Sequence, residues 1–233
     1  MNQKDKRLAD RIYLILAALF IASLVTSNLI FQKFFYWYPF HMEVYGVKLF
    51  EVSVGLLPYP LTFLITDILS EIYGKRKANE VVIAGIFASF FSLLIIYVSK
   101  EVPATSWSQV NDGTFVNVFG AAPLAVLASM MAYLFAQFID IRVYHFWKDF
   151  TKGKHLWLRN NFSTFSSQFI DTGTVLLLLC SFGIINWDKF WGLMISGVVF
   201  KIIIAILDTP FLYLFVYFFK KRFNLKINEE ILD

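Results

Sequence analysis

The feature that most constrains this chain is a set of long segments that contain no charged residue. Between Arg11 and Lys33 no residue is charged, and the interval from Ile12 to Gln32 is long enough to cross a bilayer as a helix, which takes about 20 residues. Charged residues make up only 16% of the 233 residues, against roughly 25% in a typical soluble domain. We therefore expect lipid to be the solvent for most of the chain.

The apolar segments predict six membrane-spanning helices in a single domain over residues 1–233. The spans are predicted at about residues 12–32, 52–73, 81–99, 119–141, 160–182 and 190–219. The predicted fold is an all-α membrane protein, a bundle of six transmembrane helices. Apolar and polar residues alternate from His41 to Val54, around Gly46, and this pattern predicts a short hairpin at the outer interface.

The positions of the basic residues predict the orientation of these spans. Most of the 21 lysines and arginines fall in the N-terminus, in the loops after the second and fourth spans, and in the C-terminal tail. These segments share one side of the predicted topology, and cytoplasmic segments carry such an excess of positive charge. Both termini are therefore predicted to be cytoplasmic in a multi-pass protein of the inner (plasma) membrane.

Signatures of other chemistries are missing from the sequence. It contains no G-x-x-x-x-G-K-[ST] phosphate loop and no G-x-S-x-G nucleophile motif, and its three histidines lack metal-ligand spacing. The net charge of +4 is concentrated in loops, which indicates membrane topology rather than binding to nucleic acid. We predict a protein that is not an enzyme and that needs no cofactor or metal.

Ionisable residues inside a span cost free energy unless they face a cavity or a partner, so each is a candidate functional residue. In the second span Asp67 and Glu71 are spaced i,i+4 on one helical face, and they follow Pro58 and Pro60. One interpretation places both acids at a substrate site. The alternative is that they lie near the cytoplasmic end and pair with the basic residues 75–77.

The first and fourth spans add three further candidates for a substrate-binding cavity. Gln137 and Asp140 are spaced i,i+3 near the end of the fourth span, and the Gln137 amide offers both a donor and an acceptor to a ligand. Asp140 has the alternative role of an interfacial partner of Arg142. In the first span, Asn28 is expected to face the same cavity.

The fifth span contains a continuous polar stripe on an otherwise apolar helix. Thr164, Gln168 and Asp171 follow at i, i+4 and i+7, so their side chains share one face. A rise of about 1.5 Å per residue places Asp171 roughly 16 Å deep, near the bilayer midplane. Helix packing explains the neighbouring serines, but it does not explain an aspartate at that depth.

The sixth span contains Lys201 at a depth similar to that of Asp171. Asp208 follows Lys201 at i+7, just before Thr209 and Pro210. Asp171 and Lys201 can form a buried ion bridge that joins two helices, or they can form the floor of a binding cavity. Both interpretations stay open, and they are compatible with each other.

Five stretches of the sequence form a specific set. They are P-x-P-L-T-F-L-I-T-D-I-L-S-E-I-Y-G from Pro58 to Gly74, A-Q-F-I-D-I from Ala136, L-W-L-R-N-N from Leu156, T-x-x-x-Q-x-x-D from Thr164 to Asp171 and K-x-x-x-x-x-x-D-T-P from Lys201. Together they resemble the queuosine precursor transporter family, which is also grouped with vitamin uptake transporters. The resemblance covers nearly all of the six predicted spans.

This resemblance implies import of a 7-deazaguanine base, either the cyano or aminomethyl queuosine precursor or queuine. A flat base can stack on aromatic side chains while Gln and Asp side chains pair with its polar edge. The expected mode is secondary or facilitated transport across the inner membrane. The expected partners are the small-molecule substrate and the lipid bilayer, and a homo-oligomer is compatible with the sequence.

Two other classes of function stay open at this point. The chain can be the substrate-binding membrane subunit for another small vitamin-like heterocycle, in which case it needs a separate ATPase module. It can also be a membrane scaffold that transports nothing. Uptake of labelled base in cells without an energy-coupling module separates a self-sufficient transporter from the subunit, and loss of uptake on mutation of midplane residues excludes the scaffold.

Overall fold

The computed structural model describes residues 3–36, 42–48, 51–120, 123–183, 185–226 and 229–231. Within these residues the α-helices are α1 (Gln3–Ile30), α2 (Tyr59–Ile72), α3 (Gly74–Glu101), α4 (Asp112–Phe115), α5 (Pro123–Phe150), α6 (Leu156–Ser181) and α7 (Phe190–Phe223). The short strands are β1 (Phe34–Tyr36), β2 (Glu43–Val44), β3 (Val47–Lys48) and β4 (Glu51–Ser53). The architecture is therefore all-α apart from two small strand pairs.

Three helical segments of the described chain are long and apolar enough to cross a membrane, judged by length and composition. They are Gln3–Ile30, Gly74–Glu101 and Trp187–Phe223. Large apolar side chains cover their outer faces: Leu14, Phe87 and Phe218 are 68%, 71% and 58% exposed. Such a surface suits lipid contact, because a soluble protein rarely exposes so many large apolar side chains together.

The structure differs from the predicted second span, residues 52–73, in its first part. Here the chain forms β4 and then a 3-10 turn, Val54–Leu56, and α2 begins only at Tyr59 with Pro60 in its first turn. Proline fits this place because the N–H groups in the first turn of a helix have no acceptor within the helix, so a residue without an N–H loses no hydrogen bond there. With 14 residues, α2 is shorter than the roughly 20 that a spanning helix needs.

The ends of other helices also differ from the predicted spans. α3 begins at Gly74 rather than near residue 81, and α5 and α7 continue to Phe150 and Phe223. Apolar runs mark only the part of a helix that lies in hydrocarbon, so the polar turns beyond it are missed. The predicted start of the fourth span at residue 119 falls in a π-helical turn, Val116–Gly120, and α5 itself begins at Pro123.

The hairpin predicted around Gly46 is present. β2 and β3 pair antiparallel and are joined by Tyr45 and Gly46, which both have positive φ, as a type I′ hairpin turn requires. β1 pairs antiparallel with β4. We call the end of the bundle that carries these strands the strand end. His41, the first residue of the predicted hairpin segment, lies outside the described residues.

Polar side chains fill the centre of the bundle. α2 packs against α1, α3, α5 and α7, while α6 packs against both α5 and α7. The buried polar residues of α2, α5 and α6 include Thr62, Thr66, Asp67, Ser70, Glu71, Gln137, Asp140, Ser163, Thr164, Ser167, Gln168 and Asp171. Because burial of a polar group costs free energy unless it finds a partner or a cavity, each of these side chains needs an explanation.

Candidate functional site

Asp171 on α6 and Lys201 on α7 form an ion pair, with 2.6 Å between Lys201 Nζ and Asp171 Oδ2. The Tyr59 hydroxyl donates to the same oxygen at 2.5 Å, and Lys201 also donates to Thr172 Oγ1 at 3.0 Å. The Lys201 ammonium lies 4.7 Å from the centre of the Tyr59 ring, where a cation is attracted to an aromatic face. The other carboxyl oxygen, Asp171 Oδ1, is buried without a hydrogen-bond partner among the described residues.

A cavity of about 220 Å³ adjoins this pair on the side of the strand end. Its walls include Asn28, Tyr59, Tyr133, Asp171 and Lys201. Asn28 lines both this cavity and a neighbouring one of about 560 Å³, and its Nδ2 is buried and unpaired within the described part of the chain, so a free donor lies near the free acceptor of Asp171. We call this space the Asp171 cavity. Its volume lies just below the roughly 300–1,000 Å³ of typical small-molecule sites.

A second and much smaller space lies between α2, α6 and α7. Its volume is about 20 Å³, which is room for about one water molecule. The walls include Asp67, Thr164, Gln168 and Asp208. Two of their oxygens, Asp67 Oδ1 and Gln168 Oε1, are buried without a partner in the described structure. We call this space the Gln168 crevice, and its free polar atoms are acceptors.

The boundary between the two spaces is formed by Leu56, Tyr59 and Lys201, which line both of them. The hydrogen bond and the ion pair to Asp171 hold Tyr59 and Lys201 in place there. The Asp171–Lys201 pair therefore joins two helices and also bounds a cavity.

Gln137 lies behind the wall of the Asp171 cavity. Its Nε2 donates to the Tyr133 hydroxyl at 2.8 Å, and its Oε1 accepts from Thr66 Oγ1 at 3.2 Å. The Tyr133 ring in turn lies 4.5 Å from the Tyr59 ring. Gln137 was proposed from sequence as a direct ligand, but its amide is occupied within the protein and positions an aromatic wall.

Asp140 on α5 points into the bundle, where its carboxyl group contacts that of Asp67. Ser167 on α6 also donates to Asp140 Oδ1 at 3.0 Å. Arg142, the partner considered from sequence, is exposed while Asp140 is fully buried. Two residues further along a helix is about half a turn, so the two side chains leave α5 on different faces.

Glu71, one turn beyond Asp67 on α2, belongs to an ion cluster in which both of its oxygens are paired. Its Oε2 lies 2.6 Å from Arg159 Nη2 and 3.9 Å from Lys148 Nζ, and it accepts from the Tyr144 hydroxyl at 3.2 Å. Its Oε1 lies 2.5 Å from Lys220 Nζ. We call this end of the bundle the basic end. Glu71 thus links α2 to α5, α6 and α7.

The partners of Glu71 differ from the basic residues 75–77 that were considered from sequence. Gly74, with a φ of +80°, turns the chain sharply after α2, so residues 75–77 lie in the first turn of α3. There Arg76 and Lys77 pair with Glu80 on their own helix. The cations that reach Glu71 come instead from distant parts of the chain.

Tyr59 and Tyr133, which form the aromatic wall of the cavity, were missed by sequence reasoning. Aromatic residues make up 19% of the chain, so no single tyrosine stands out by composition or spacing. Tyr59 lies between Pro58 and Pro60, and the start of a helix after such a break was the one signal that pointed to it.

Comparison with known proteins places these features in a family. Residues 53–215 match the model of a family described as "Putative vitamin uptake transporter", and this interval is well over half of the chain. The chain belongs to this vitamin uptake transporter family. A curated relative named "Probable queuosine precursor transporter", from Bacillus subtilis (strain 168), is 28% identical over 173 residues, which cover 74% of this chain and 73% of the relative. No solved structure matches the chain.

Membership of this family supports transport of a small molecule across a membrane rather than enzymatic activity. The matched interval contains every candidate residue described above except Asn28. It includes the whole of α2, α5 and α6, whose buried polar side chains form the centre of the bundle. The family match and the polar interior therefore coincide along the sequence.

Proposed function

We propose that the protein imports a 7-deazaguanine queuosine precursor across the inner membrane. The cargo is the cyano or aminomethyl base, or queuine, and the mode is secondary or facilitated transport. The name of the Bacillus subtilis relative supports this class of cargo. The absence of a phosphate-loop motif in the sequence supports transport that does not use ATP hydrolysis by this chain.

We also propose six membrane crossings with both termini in the cytoplasm, so that the strand end faces outward. The excess of lysine and arginine on one side of the topology supports this orientation. In the second crossing, the irregular segment before α2 lines the Asp171 cavity through Val52, Ser53 and Gly55. Irregular backbone is tolerated at membrane depth where it lines a cavity or is buried in protein.

The observation that carries the proposed cargo is the pair of unpaired polar atoms in the Asp171 cavity. Asn28 Nδ2 is a free donor and Asp171 Oδ1 is a free acceptor, and Tyr59 and Tyr133 provide aromatic surface beside them. A buried polar group without a partner costs about 1–3 kcal/mol. A flat base with adjacent donor and acceptor groups satisfies both atoms and stacks on a tyrosine.

Movement of the cargo inward requires the boundary at Tyr59 and Lys201 to open. The base then reaches the Gln168 crevice, where Gln168 Oε1 accepts from an amino group of the base. A base that lacks this amino group leaves the buried Gln168 amide oxygen unpaired. This costs more free energy than the loss of one methylene contact, so the site discriminates strongly against such a base. In this scheme Asp171 is a cargo ligand and a partner of Lys201.

Uptake of several labelled bases tests this proposal in cells that express the protein and contain no energy-coupling ATPase module. We expect uptake of a 7-deazaguanine base above the level of empty-vector cells, with competition by the unlabelled base and not by adenine. Uptake that needs an added ATPase module would show instead a substrate-binding subunit. Uptake of a different vitamin-like heterocycle alone would show that the proposed cargo is wrong.

A reporter fused after Asp233 tests the proposed orientation. A reporter that is active only in the cytoplasm is expected to be active at this position. Activity of a periplasmic or extracellular reporter at the same position would overturn the topology, and with it the assignment of the strand end to the outside.

A further inference from the structure

The contact between Asp67 and Asp140 is not explained by cargo binding. Both residues are almost fully buried, at 2% and 0% exposure, and their carboxyl groups are within hydrogen-bonding contact of each other. One oxygen of each, Asp67 Oδ1 and Asp140 Oδ2, has no donor among the described residues. Two carboxylates have only acceptors, so a hydrogen bond between them requires a proton on one. The geometry therefore fits a pair that shares one proton.

The two cations near the pair, Arg159 and Lys201, are each already paired with another acid. The titratable groups that face it are Glu71 on α2, Tyr133 and Tyr144 on α5, Arg159 on α6, and Lys201 and Asp208 on α7. Arg159 is bound to Glu71 at 2.6 Å and to the Gly153 carbonyl at 2.9 Å. Lys201 is bound to Asp171 at 2.6 Å. Because two like charges in contact are unfavourable away from water, one carboxyl group keeps its proton.

The pair lies between the two ends of the proposed transport path. Asp67 lines the Gln168 crevice, which has room for about one water and which meets the Asp171 cavity at Tyr59 and Lys201. On the other side, Glu71 lies one helical turn further along α2, in the ion cluster of the basic end. A proton bound to this pair therefore lies between the boundary at Tyr59 and Lys201, on the side of the strand end, and the ion cluster around Glu71 at the basic end.

We propose that the Asp67–Asp140 pair binds and releases the proton that drives import, an inference that rests on the proposed function. In each cycle one proton leaves the outer solution, binds to the pair and is released into the cytoplasm with the base. A metal cation would need several oxygen ligands arranged around it, whereas a hydrogen bond between two carboxyl groups needs only one proton. The coupling ion is therefore a proton rather than Na⁺.

Purified protein in liposomes that enclose a pH-sensitive dye tests this proposal. When labelled 7-deazaguanine base is added outside, the lumen is expected to acidify as base enters, and an acidic outer solution is expected to accelerate uptake severalfold. In Asp67→Asn, the number of protons moved per base is expected to fall at least tenfold. Asp149→Asn, which changes an exposed acid on the same helix as Asp140, is the matched control and keeps the wild-type ratio.

Infrared spectroscopy of the purified protein provides a second test that does not depend on transport. At pH 7 the wild type is expected to show the C=O band of a protonated carboxylic acid, and the band is expected to weaken in Asp67→Asn and in Asp140→Asn but not in Asp149→Asn. A spectrum without this band, or one that neither pair variant changes, would overturn the shared proton.

The two proposals fail in different ways. If wild-type liposomes take up the base without proton movement, or if uptake follows a Na⁺ gradient instead, the proton site is wrong and the import function stands. An Asp67→Asn protein with the wild-type proton-to-base ratio leads to the same conclusion. If no 7-deazaguanine base enters, the import function is wrong, while the infrared band still reports whether the pair holds a proton.

Discussion

Asp171 and Glu71 are both buried acids paired with cations, but their surroundings differ. The two oxygens of Glu71 are fully engaged by Arg159, Lys148, Lys220 and the Tyr144 hydroxyl. Asp171 uses only Oδ2 for its protein partners and leaves Oδ1 unpaired beside a cavity of about 220 Å³. The first arrangement is complete without a ligand, whereas the second is not.

This difference distinguishes an acid whose contacts are complete within the protein from one that still has an acceptor available for a ligand. A buried charge whose hydrogen bonds are all made within the protein stabilises one arrangement of helices. A buried charge with one unpaired acceptor beside a cavity carries a free-energy penalty, and a ligand that donates a hydrogen bond to this acceptor removes the penalty. Glu71 was included among the candidate substrate-binding residues from sequence, and its saturated contacts favour a structural role at the basic end instead.

The largest effect is expected when Glu71 is changed to Gln. The change removes the charge that compensates Arg159 and Lys220, and loss of one partner of a buried ion pair costs about 3–5 kcal/mol. We expect a large fall in the thermal unfolding temperature in detergent and a low yield of folded protein. A protein that unfolds at the wild-type temperature would remove the distinction between the two acids.

Replacement of Gln168 by Leu is expected to abolish uptake of the 7-deazaguanine base while membrane insertion and folding stay intact. Leucine suits an apolar helix, but it removes one of the two free acceptors of the crevice. The measurement is uptake at subsaturating base by a variant expressed at the parental level. Phe169→Leu, which changes a neighbouring side chain on the outer face, is the control and keeps uptake. Near-normal uptake by Gln168→Leu would show that the recognition edge lies elsewhere, with Asp67, which carries the other free acceptor of the crevice, as the next candidate.

A smaller effect is expected for Asn28→Ala, which removes the one free donor identified in the Asp171 cavity within the described residues. A neutral hydrogen bond contributes about 0.5–1.5 kcal/mol, which corresponds to a rise in KM of roughly two- to tenfold. Concentration-dependent uptake measures this shift. The exposed neighbour Thr26 provides the control variant Thr26→Ala, with an unchanged KM. An unchanged KM in Asn28→Ala as well would show that the cargo does not use this donor.

The smallest effect is expected for Glu80→Gln. Its partners Arg76 and Lys77 lie on the same surface turn of α3, and the Arg76 side chain is 84% exposed. Exposed ion pairs of this kind contribute little to stability because water screens them. We expect no resolvable change in the unfolding temperature. A loss comparable to that of Glu71→Gln would show that charge at the basic end matters regardless of burial.

Local spacing predicted the part of the site that depends on one helix. Thr164, Gln168 and Asp171 share a face because i, i+4 and i+7 repeat the helical turn, and the structure buries all three. Lys201 and Asp171 were predicted to lie at similar depth in their spans, and in the structure they form an ion pair. The all-α architecture and the hairpin at Gly46 also followed from local patterns.

The parts that sequence reasoning missed depend on contacts between distant segments. Lys220 reaches Glu71 across most of the chain, so no local spacing could select it over the adjacent residues 75–77. The contact between Asp67 and Asp140 depends on how α2 packs against α5. The late start of α2 at Tyr59 was hidden because an apolar run does not distinguish a strand and a 3-10 turn from a helix.

Binding of a 7-deazaguanine base to purified wild-type and Asp171→Asn proteins tests most directly whether the Asp171 cavity is the cargo site. Calorimetric titration is expected to show at least tenfold weaker binding for the variant. Its unfolding temperature is expected to fall less than that of Glu71→Gln, because Asp171 pairs with one cation, Lys201, whereas Glu71 pairs with Arg159, Lys148 and Lys220. Wild-type affinity in Asp171→Asn, together with normal rate and pH dependence of uptake, would contradict both roles assigned to this residue.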